Sequence, residues 1–209
     1  MSNQADTFLG LFKEKKYSTI ISIIENQFSE NQKTSALLNL KGVCRMMVSD
    51  SSESIKLAVE DFKKSYYKET DKTKLVEPIK NLINASAILF ETEFAKNERF
   101  LDNDFFDDIN KIYKDNKDLF ENNLQLIKAI IKVHKRTLDI KNVIKCFEKI
   151  IKLDSNQDAI ANYNFYNNYL NDWSQSDFLL NAKKINNKLI KYSSKDLADL
   201  KTKKNKKIN

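Results

Sequence analysis

The chain contains only two glycines and one proline among its 209 residues, and this scarcity restricts its fold more than any other feature. A β-rich fold needs many tight turns, and tight turns depend mainly on glycine and proline. Apolar residues instead recur at spacings of three and four, as in amphipathic helices. The clearest run contains Leu124, Ile127, Ala129, Ile130 and Val133. The sequence therefore predicts an all-α fold of about ten antiparallel helices.

The composition also disfavours several kinds of catalytic and cofactor site. Phosphate-binding loops require clustered glycines, which Gly10 and Gly42 do not provide. His134 is the only histidine, and Cys44 and Cys146 are isolated in the sequence, so a structural zinc site lacks ligands. Cysteine–histidine catalysis would require one thiol to meet the histidine in space, and two buried reduced thiols are the simpler interpretation. We therefore expect no catalytic residue, no metal and no cofactor.

Both ends of the chain bear on its location and its partners. The N-terminus has no basic leader before an apolar stretch, and no apolar run is long enough to cross a bilayer, which favours a cytoplasmic protein with no membrane partner. The formal charge is +7, but five lysines lie within residues 201–209, and without them the charge is +2. The basic tail is therefore a local feature, and nucleic acid is not the expected partner.

The most specific pattern in the chain is the segment 143–155, VIKCFEKIIKLDS. A small residue begins it, an aromatic residue follows four later, an apolar residue comes three after that, and an acidic residue with a turn breaker ends it. These places are taken by Val143, Phe147, Ile150, Asp154 and Ser155. The pattern resembles the second helix of a tetratricopeptide (TPR) repeat. This resemblance implies a right-handed TPR-like solenoid of stacked helical hairpins, which usually binds other proteins.

Three further segments repeat this spacing. The best of them is preceded by a glycine, at a place where paired helices come close together. Its residues are Gly42, Ala58, Phe62 and Ser65. The two looser segments contain Ile20 and Ile24, and Phe105, Ile109 and Ile112. Successive repeats begin 38, 47 and 38 residues apart, compared with about 34 in an uninterrupted TPR. Each repeat is therefore lengthened, and we expect the extra residues in polar turns at 49–54 and 68–74.

Local patterns predict where helices begin and which aromatic residues are buried. Asp50, Ser155 and Ser174 each precede an acidic residue three positions later, as in a capping box, and Pro78 is expected in a first helical turn. Five aromatic residues on the helices could form a base-stacking surface, but their helical spacing favours core packing. They are Phe62, Tyr66, Tyr67, Tyr113 and Phe147.

Asparagines on the first helix of each hairpin are the candidate binding residues. In a solenoid of this type these helices line the concave groove, where a side-chain amide can bond the backbone of an extended peptide. Two N-x-x-N pairs and one further asparagine have suitable positions. They are Asn81 and Asn84, Asn164 and Asn167, and Asn39. The chain is rich in asparagine throughout, so chance placement is an equally good explanation.

The C-terminal part, from Asn167 onward, carries a second resemblance. Tyr169–Trp173 has the place of an aromatic-containing turn, a helix is expected from Ser174, and Lys203–Asn209 is rich in lysine. This order resembles the segment between the TPR array and the catalytic region in bacterial relatives of the O-GlcNAc transferase and SPINDLY type of glycosyltransferase. The resemblance implies a TPR-like domain at 1–191, a lysine-rich linker at 192–209, and a parent protein whose catalytic domain this chain lacks.

The leading functional hypothesis is a protein-interaction module that binds a protein or an extended peptide in its concave groove. It would be the recognition part of such a glycosyltransferase, and this chain itself would not be an enzyme. A second hypothesis is a stand-alone TPR scaffold, capped by a terminal helix with a polar outer face. A third is RNA binding by helical repeats with help from the basic tail, which would weaken steeply with salt.

Overall fold

The computed structural model describes residues 2–97, 103–137, 139–155 and 157–174. Within these ranges all regular secondary structure is helical, which confirms the all-α prediction. The ten α-helices are α1 (Ser2–Lys13), α2 (Tyr17–Gln27), α3 (Ser35–Val48), α4 (Ser52–Lys68), α5 (Val76–Asn97), α6 (Asp107–Asp115), α7 (Lys117–Asn122), α8 (Leu124–Arg136), α9 (Ile140–Asp154) and α10 (Gln157–Ser174). Short 3₁₀ helices cover Lys72–Lys74 and Asn103–Phe106. None of the helices in these ranges combines the length and the apolar character that a bilayer span requires.

The chain divides into two compact units, Met1–Thr92 and Glu93–Asn209. In the first unit α1 packs on α2, α2 on α3, and α3 on α4. In the second unit each helix from α6 to α10 packs on the next. Short linkers such as 14–16 and 49–51 require the helices they join to run antiparallel. The boundary predicted between 191 and 192 lies outside the described residues.

The core of the first unit includes the residues that the repeat spacing selects. Ile20 and Ile24 of α2 are fully buried and form a cluster with Phe8 of α1 and Cys44 of α3. On α4, Ala58 and Phe62 are buried as well. The spacing predicted burial because positions three and four apart lie on one helix face.

The packing of α3 on α4 depends on a residue without a side chain. A Cβ atom added to Gly42 would lie 2.6 Å from Cε1 of Phe62. The absence of that atom allows the Phe62 ring to lie directly against the α3 backbone, as predicted for a closely packed pair. Beside this contact, the Ser65 hydroxyl donates to the Ser35 carbonyl at 2.8 Å, so the buried polar atoms between the helices are bonded.

The second unit buries the residues of the most specific repeat pattern. Val143, Phe147 and Ile150 of α9 are all buried, and the Phe147 ring stacks on Tyr166 of α10 with centroids 5.9 Å apart. Helix α9 ends at Asp154, and Ser155 adopts the left-handed conformation with φ of 37°. The predicted turn breaker therefore ends the helix, and its backbone N–H donates to the Ile151 carbonyl.

The third predicted repeat falls on short helices. Two of its residues, Ile109 and Ile112, lie on α6, and Asn116 separates α6 from α7. The Asn116 side chain donates to the Ile112 carbonyl at 2.8 Å. Phe105, the first residue of this repeat pattern, is half-buried, whereas its neighbour Phe106 is 2% exposed. Ile109 and Ile112 are buried as predicted.

Two predicted helix starts were wrong, and one was right. The N-cap of α4 is Ser51, whose hydroxyl accepts from the Ser54 N–H at 3.2 Å, and Asp50 precedes it. Ser155 ends α9 and does not begin α10, because its left-handed backbone is incompatible with the extended conformation of an N-cap. Pro78 lies in the first turn of α5 as predicted. The capping box predicted from Ser174 extends beyond the described residues.

One aromatic residue predicted to be core is exposed. Tyr67 is 57% exposed, whereas Tyr66 is half-buried. Five residues separate Tyr67 from Phe62, which places the two side chains about 140° apart around α4. Helical spacing alone did not distinguish them, because a run of two tyrosines always places one of them farther from the core.

Candidate functional site

The structure brings two of the five candidate asparagines into contact. Nδ2 of Asn81 on α5 donates to Oδ1 of Asn39 on α3 at 3.1 Å, and both side chains are half-buried. The residues are 42 positions apart in sequence, so this contact joins two helices that are not consecutive in the chain. The bond uses one hydrogen of Asn81 and one lone pair of Asn39, and an amide side chain has capacity for several bonds.

The remaining candidates have different settings. Asn84 lies one turn after Asn81 on α5, is half-buried, and makes interactions of its own. Asn164 is exposed and Asn167 is half-buried, and both are on α10, which belongs to the second compact unit. The five residues therefore form two groups, one in each unit, and the group in the first unit contains the direct contact.

A buried ionic cluster joins three helices of the first unit. The carboxylate of Asp61 on α4 is 2.9 Å from Nζ of Lys41 and 2.8 Å from Nε of Arg45, both on α3. Glu25 of α2 completes the cluster by pairing with Arg45 and, at 3.7 Å, with Lys41. The Asp61 side chain is 5% exposed and that of Glu25 is 42% exposed. Two cations thus balance two anions in a largely dry position.

This cluster was absent from the sequence-based predictions. Its only local indication is the spacing of Lys41 and Arg45, which places both cations on one face of α3. Asp61 directly precedes the core residue Phe62, and a charged residue so close to a core position needs a partner. The cluster links α3 to both α2 and α4 through charged side chains.

The histidine and the two cysteines have the environment of core residues. Burial raises the pKa of Cys44 and of Cys146 to about 11, so both are neutral thiols at pH 7, the less reactive form. Burial lowers the pKa of His134, although the nearby Asp139 carboxylate opposes this effect. Nδ1 of His134 is 3.7 Å from that carboxylate, and its buried Nε2 has no hydrogen-bond partner among the described residues.

The C-terminal segment that resembles a glycosyltransferase linker differs from the expectation where it is described. Tyr169–Trp173 was predicted to be a turn, but α10 continues to Ser174, so these residues are helical. The helix expected after Ser174 and the lysine-rich segment Lys203–Asn209 lie outside the described residues.

The described residues form helices, several of which pack on the next helix in sequence. Several unrelated all-α folds are built from hairpins, so this arrangement defines a fold class and not a family. Comparison with known protein families, with curated proteins and with solved structures gave no match to this chain.

Proposed function

We propose that the chain is a protein-interaction module of TPR-like hairpins, and that its first unit binds an extended peptide through Asn39, Asn81 and Asn84. The observation that carries this proposal is the hydrogen bond between Asn81 and Asn39. It brings two side-chain amides together on α3 and α5, the helices that the predicted repeats assign to the concave groove.

The chemistry of a side-chain amide suits this task. An Asn amide donates through Nδ2 and accepts through Oδ1, so it pairs with the C=O and N–H of a peptide backbone whatever the peptide sequence. The mutual bond restrains the rotation of both side chains, which reduces the entropy lost when a ligand binds. Asn84 adds a third amide about 4.5 Å farther along the axis of α5.

The expected contribution of these amides to binding is modest. A hydrogen bond between neutral groups contributes about 0.5–1.5 kcal/mol net. Three such residues therefore supply only part of the affinity, and apolar contacts of the peptide must supply the rest. Binding in the micromolar range is expected, as for many transient interactions, about −8 kcal/mol in free energy.

A pull-down with the full chain, followed by binding measurements on the captured partner, tests the proposal. We expect Asn39→Ala and Asn81→Ala each to weaken binding by about 3–10-fold, the equivalent of one hydrogen bond. Asn26→Ala is the matched control, because Asn26 is an exposed asparagine on α2 that bonds only locally to Ser22. Unchanged affinity in a variant that lacks Asn39, Asn81 and Asn84 together would refute the peptide site.

The association with a glycosyltransferase of the O-GlcNAc transferase type stays a proposal from the sequence alone. Determining the gene sequence past codon 209 tests it, and an in-frame stop would count heavily against it. The stand-alone scaffold is the competing function in that case. RNA binding is tested by a filter assay at two salt concentrations, because phosphate contacts must weaken steeply as salt rises.

A further inference from the structure

A cavity of about 530 Å³ lies beside α4 in the first unit. Lys63, Lys64, Tyr67 and Lys68 of α4 form one wall, and Leu38 of α3 contributes an apolar side chain. Its volume lies within the range of about 300–1,000 Å³ that is usual for ligand sites. Asn39, Asn81 and Asn84 are not among the residues that line this cavity.

The apolar part of the cavity combines an exposed ring with a buried side chain. Tyr67 is 57% exposed, and its ring meets the edge of Tyr66 with centroids 5.1 Å apart. Leu38 is only 3% exposed. An aromatic ring that is held by a neighbour and open to solvent is a frequent contact residue in protein interfaces.

The rim of the cavity favours negative charge. Lys68 Nζ donates to the main-chain carbonyl of Glu30 at 2.7 Å, which holds this lysine at the edge. The carboxylate of Glu30 accepts from Lys33 at 2.6 Å. That hydrogen bond, together with the charges of Lys33, Lys64 and Lys41, lowers the pKa of Glu30. Three lysines and two glutamates line the cavity, so its lining carries one net positive charge.

We propose that this cavity binds an acidic peptide segment of another protein, with one apolar side chain inserted between Leu38 and Tyr67. Carboxylates on either side of that apolar residue pair with Lys64 and Lys68. A nucleic acid fits less well, because Glu30 and Glu60 also line the cavity and would repel closely spaced phosphates. A peptide can place its few carboxylates away from both glutamates.

Fluorescence anisotropy with the full chain tests this site. The probe is a short fluorescent peptide with a central phenylalanine, one glutamate on each side of it and otherwise neutral residues, and the reference probe has glutamines in place of both glutamates. We expect the acidic probe to bind and the reference probe to bind about tenfold more weakly, which corresponds to about 1.4 kcal/mol. Binding of the acidic probe should weaken as salt rises, since the lysines are near the surface.

Variants of α4 distinguish binding in this cavity from a general attraction of the acidic probe to the positive charge of the chain. Lys64→Glu and Tyr67→Ala should each reduce binding of the acidic probe by about tenfold or more. The first variant removes the partner of a probe carboxylate, and the second removes the aromatic contact with the apolar side chain. Lys56→Glu is the matched control, because Lys56 is an exposed lysine on the same helix, and we expect less than about a twofold change. Circular dichroism verifies that each variant is folded.

The outcomes that overturn the proposal are distinct from those for the asparagine site. Equal weakening by Lys64→Glu and Lys56→Glu would show that only overall charge matters. Absence of binding at millimolar peptide, or tighter binding of single-stranded RNA than of the acidic probe, would also refute it. Asn81→Ala should leave acidic-probe binding unchanged, so either proposal can fail without the other.

Discussion

At the scale of single residues, the contact between Gly42 and Phe62 is the least tolerant of change. The missing Cβ leaves 2.6 Å to Cε1 of the ring, and Phe62 is 1% exposed, so the ring has no free space to enter. Elsewhere in a helix, replacing glycine by alanine normally stabilises the fold by reducing the entropy of the unfolded chain. The two glycines of this chain therefore predict opposite results from the same substitution.

We predict that Gly42→Ala lowers the free energy of unfolding by about 1–2 kcal/mol, because overpacking costs about 1–3 kcal/mol and the gain in helix propensity offsets up to about 1 kcal/mol. Gly10→Ala in α1 should raise it by about 0.5–1 kcal/mol, since nothing lies within 4 Å of the added Cβ. Urea denaturation measures both. Equal effects of the two substitutions would contradict the close approach of α3 and α4.

A second prediction concerns the buried His134. Its pKa in the folded protein lies below the ordinary value of 6.5, so the unfolded chain binds a proton at a higher pH than the folded chain does. The stability that depends on neutral His134 is therefore fully present above pH 6.5, and we expect it to be lost as the pH decreases from 6.5 through the folded-state pKa. Urea midpoints at pH 7.5 and pH 5.5 test this.

The control for this pH dependence is His134→Gln. Since His134 is the only histidine, the variant should lose most of the change between these two pH values. If the variant and the wild-type chain lose the same stability, carboxyl groups and not the histidine are responsible.

At the scale of elements, the ionic cluster predicts how strongly α3 and α4 are coupled. Asp61→Asn removes the charge that faces Lys41 and Arg45, and breaking a buried ion pair in this way costs about 3 kcal/mol or more. Glu25→Gln should cost less than about 1 kcal/mol, because the Glu25 side chain is 42% exposed and water screens its charge. Denaturation with urea compares the two, and similar losses would show that the cluster is solvated.

At the end of α9 we predict a substitution that increases the stability of the fold. Ser155 has φ of 37°, a left-handed conformation that costs a residue with a Cβ about 1–2 kcal/mol. Ser155→Gly should therefore stabilise the chain by about 0.5–1 kcal/mol. The control is Ser49→Gly at the end of α3, where the backbone is extended with φ of −157°, so glycine gains nothing there. Thermal unfolding distinguishes the two, and a loss of stability in Ser155→Gly would exclude strain at this position.

At the scale of the whole molecule, the division into two compact units predicts that a substitution in one unit changes the stability of that unit more than that of the other. Gly42 lies in Met1–Thr92 and Ser155 lies in Glu93–Asn209, and each unit buries its own apolar residues. We expect Gly42→Ala to accelerate amide hydrogen exchange mainly in α3 and α4, and Ser155→Gly to slow it mainly in α8 and α9. Mass spectrometry of peptic fragments measures this. Uniform changes along the chain would indicate a single cooperative unit.

The sequence correctly predicted which helix faces are buried, because burial follows local spacing. It was less accurate for the exact residue at which a helix begins. Phe62 and Phe147 are buried as expected, because helical periodicity alone selects the core face. The one-residue error at Asp50 occurred where a neighbour of similar character, Ser51, competes for the same place. Neighbouring candidates of equal propensity are separated only by tertiary packing.

The candidate sites were less predictable than the fold. The positions of the asparagines on helices followed from the repeat spacing, but the bond between Asn39 and Asn81 joins residues 42 apart, and no local pattern encodes it. No local pattern encodes the pairing of Asp61 with its partners on α3 either. Sequence periodicity indicates which face of a helix is buried, whereas the pairing of polar groups across helices requires the offset between those helices.

The environment of Cys44 and Cys146 has a practical consequence for spectroscopy. Both are buried thiols with the pKa raised to about 11, so maleimide reagents should modify them slowly in the native protein. A cysteine introduced on the surface, for example by Lys56→Cys, would then accept a fluorophore selectively without removal of the native thiols. Single-molecule distance measurements between such dyes become accessible with an otherwise natural chain.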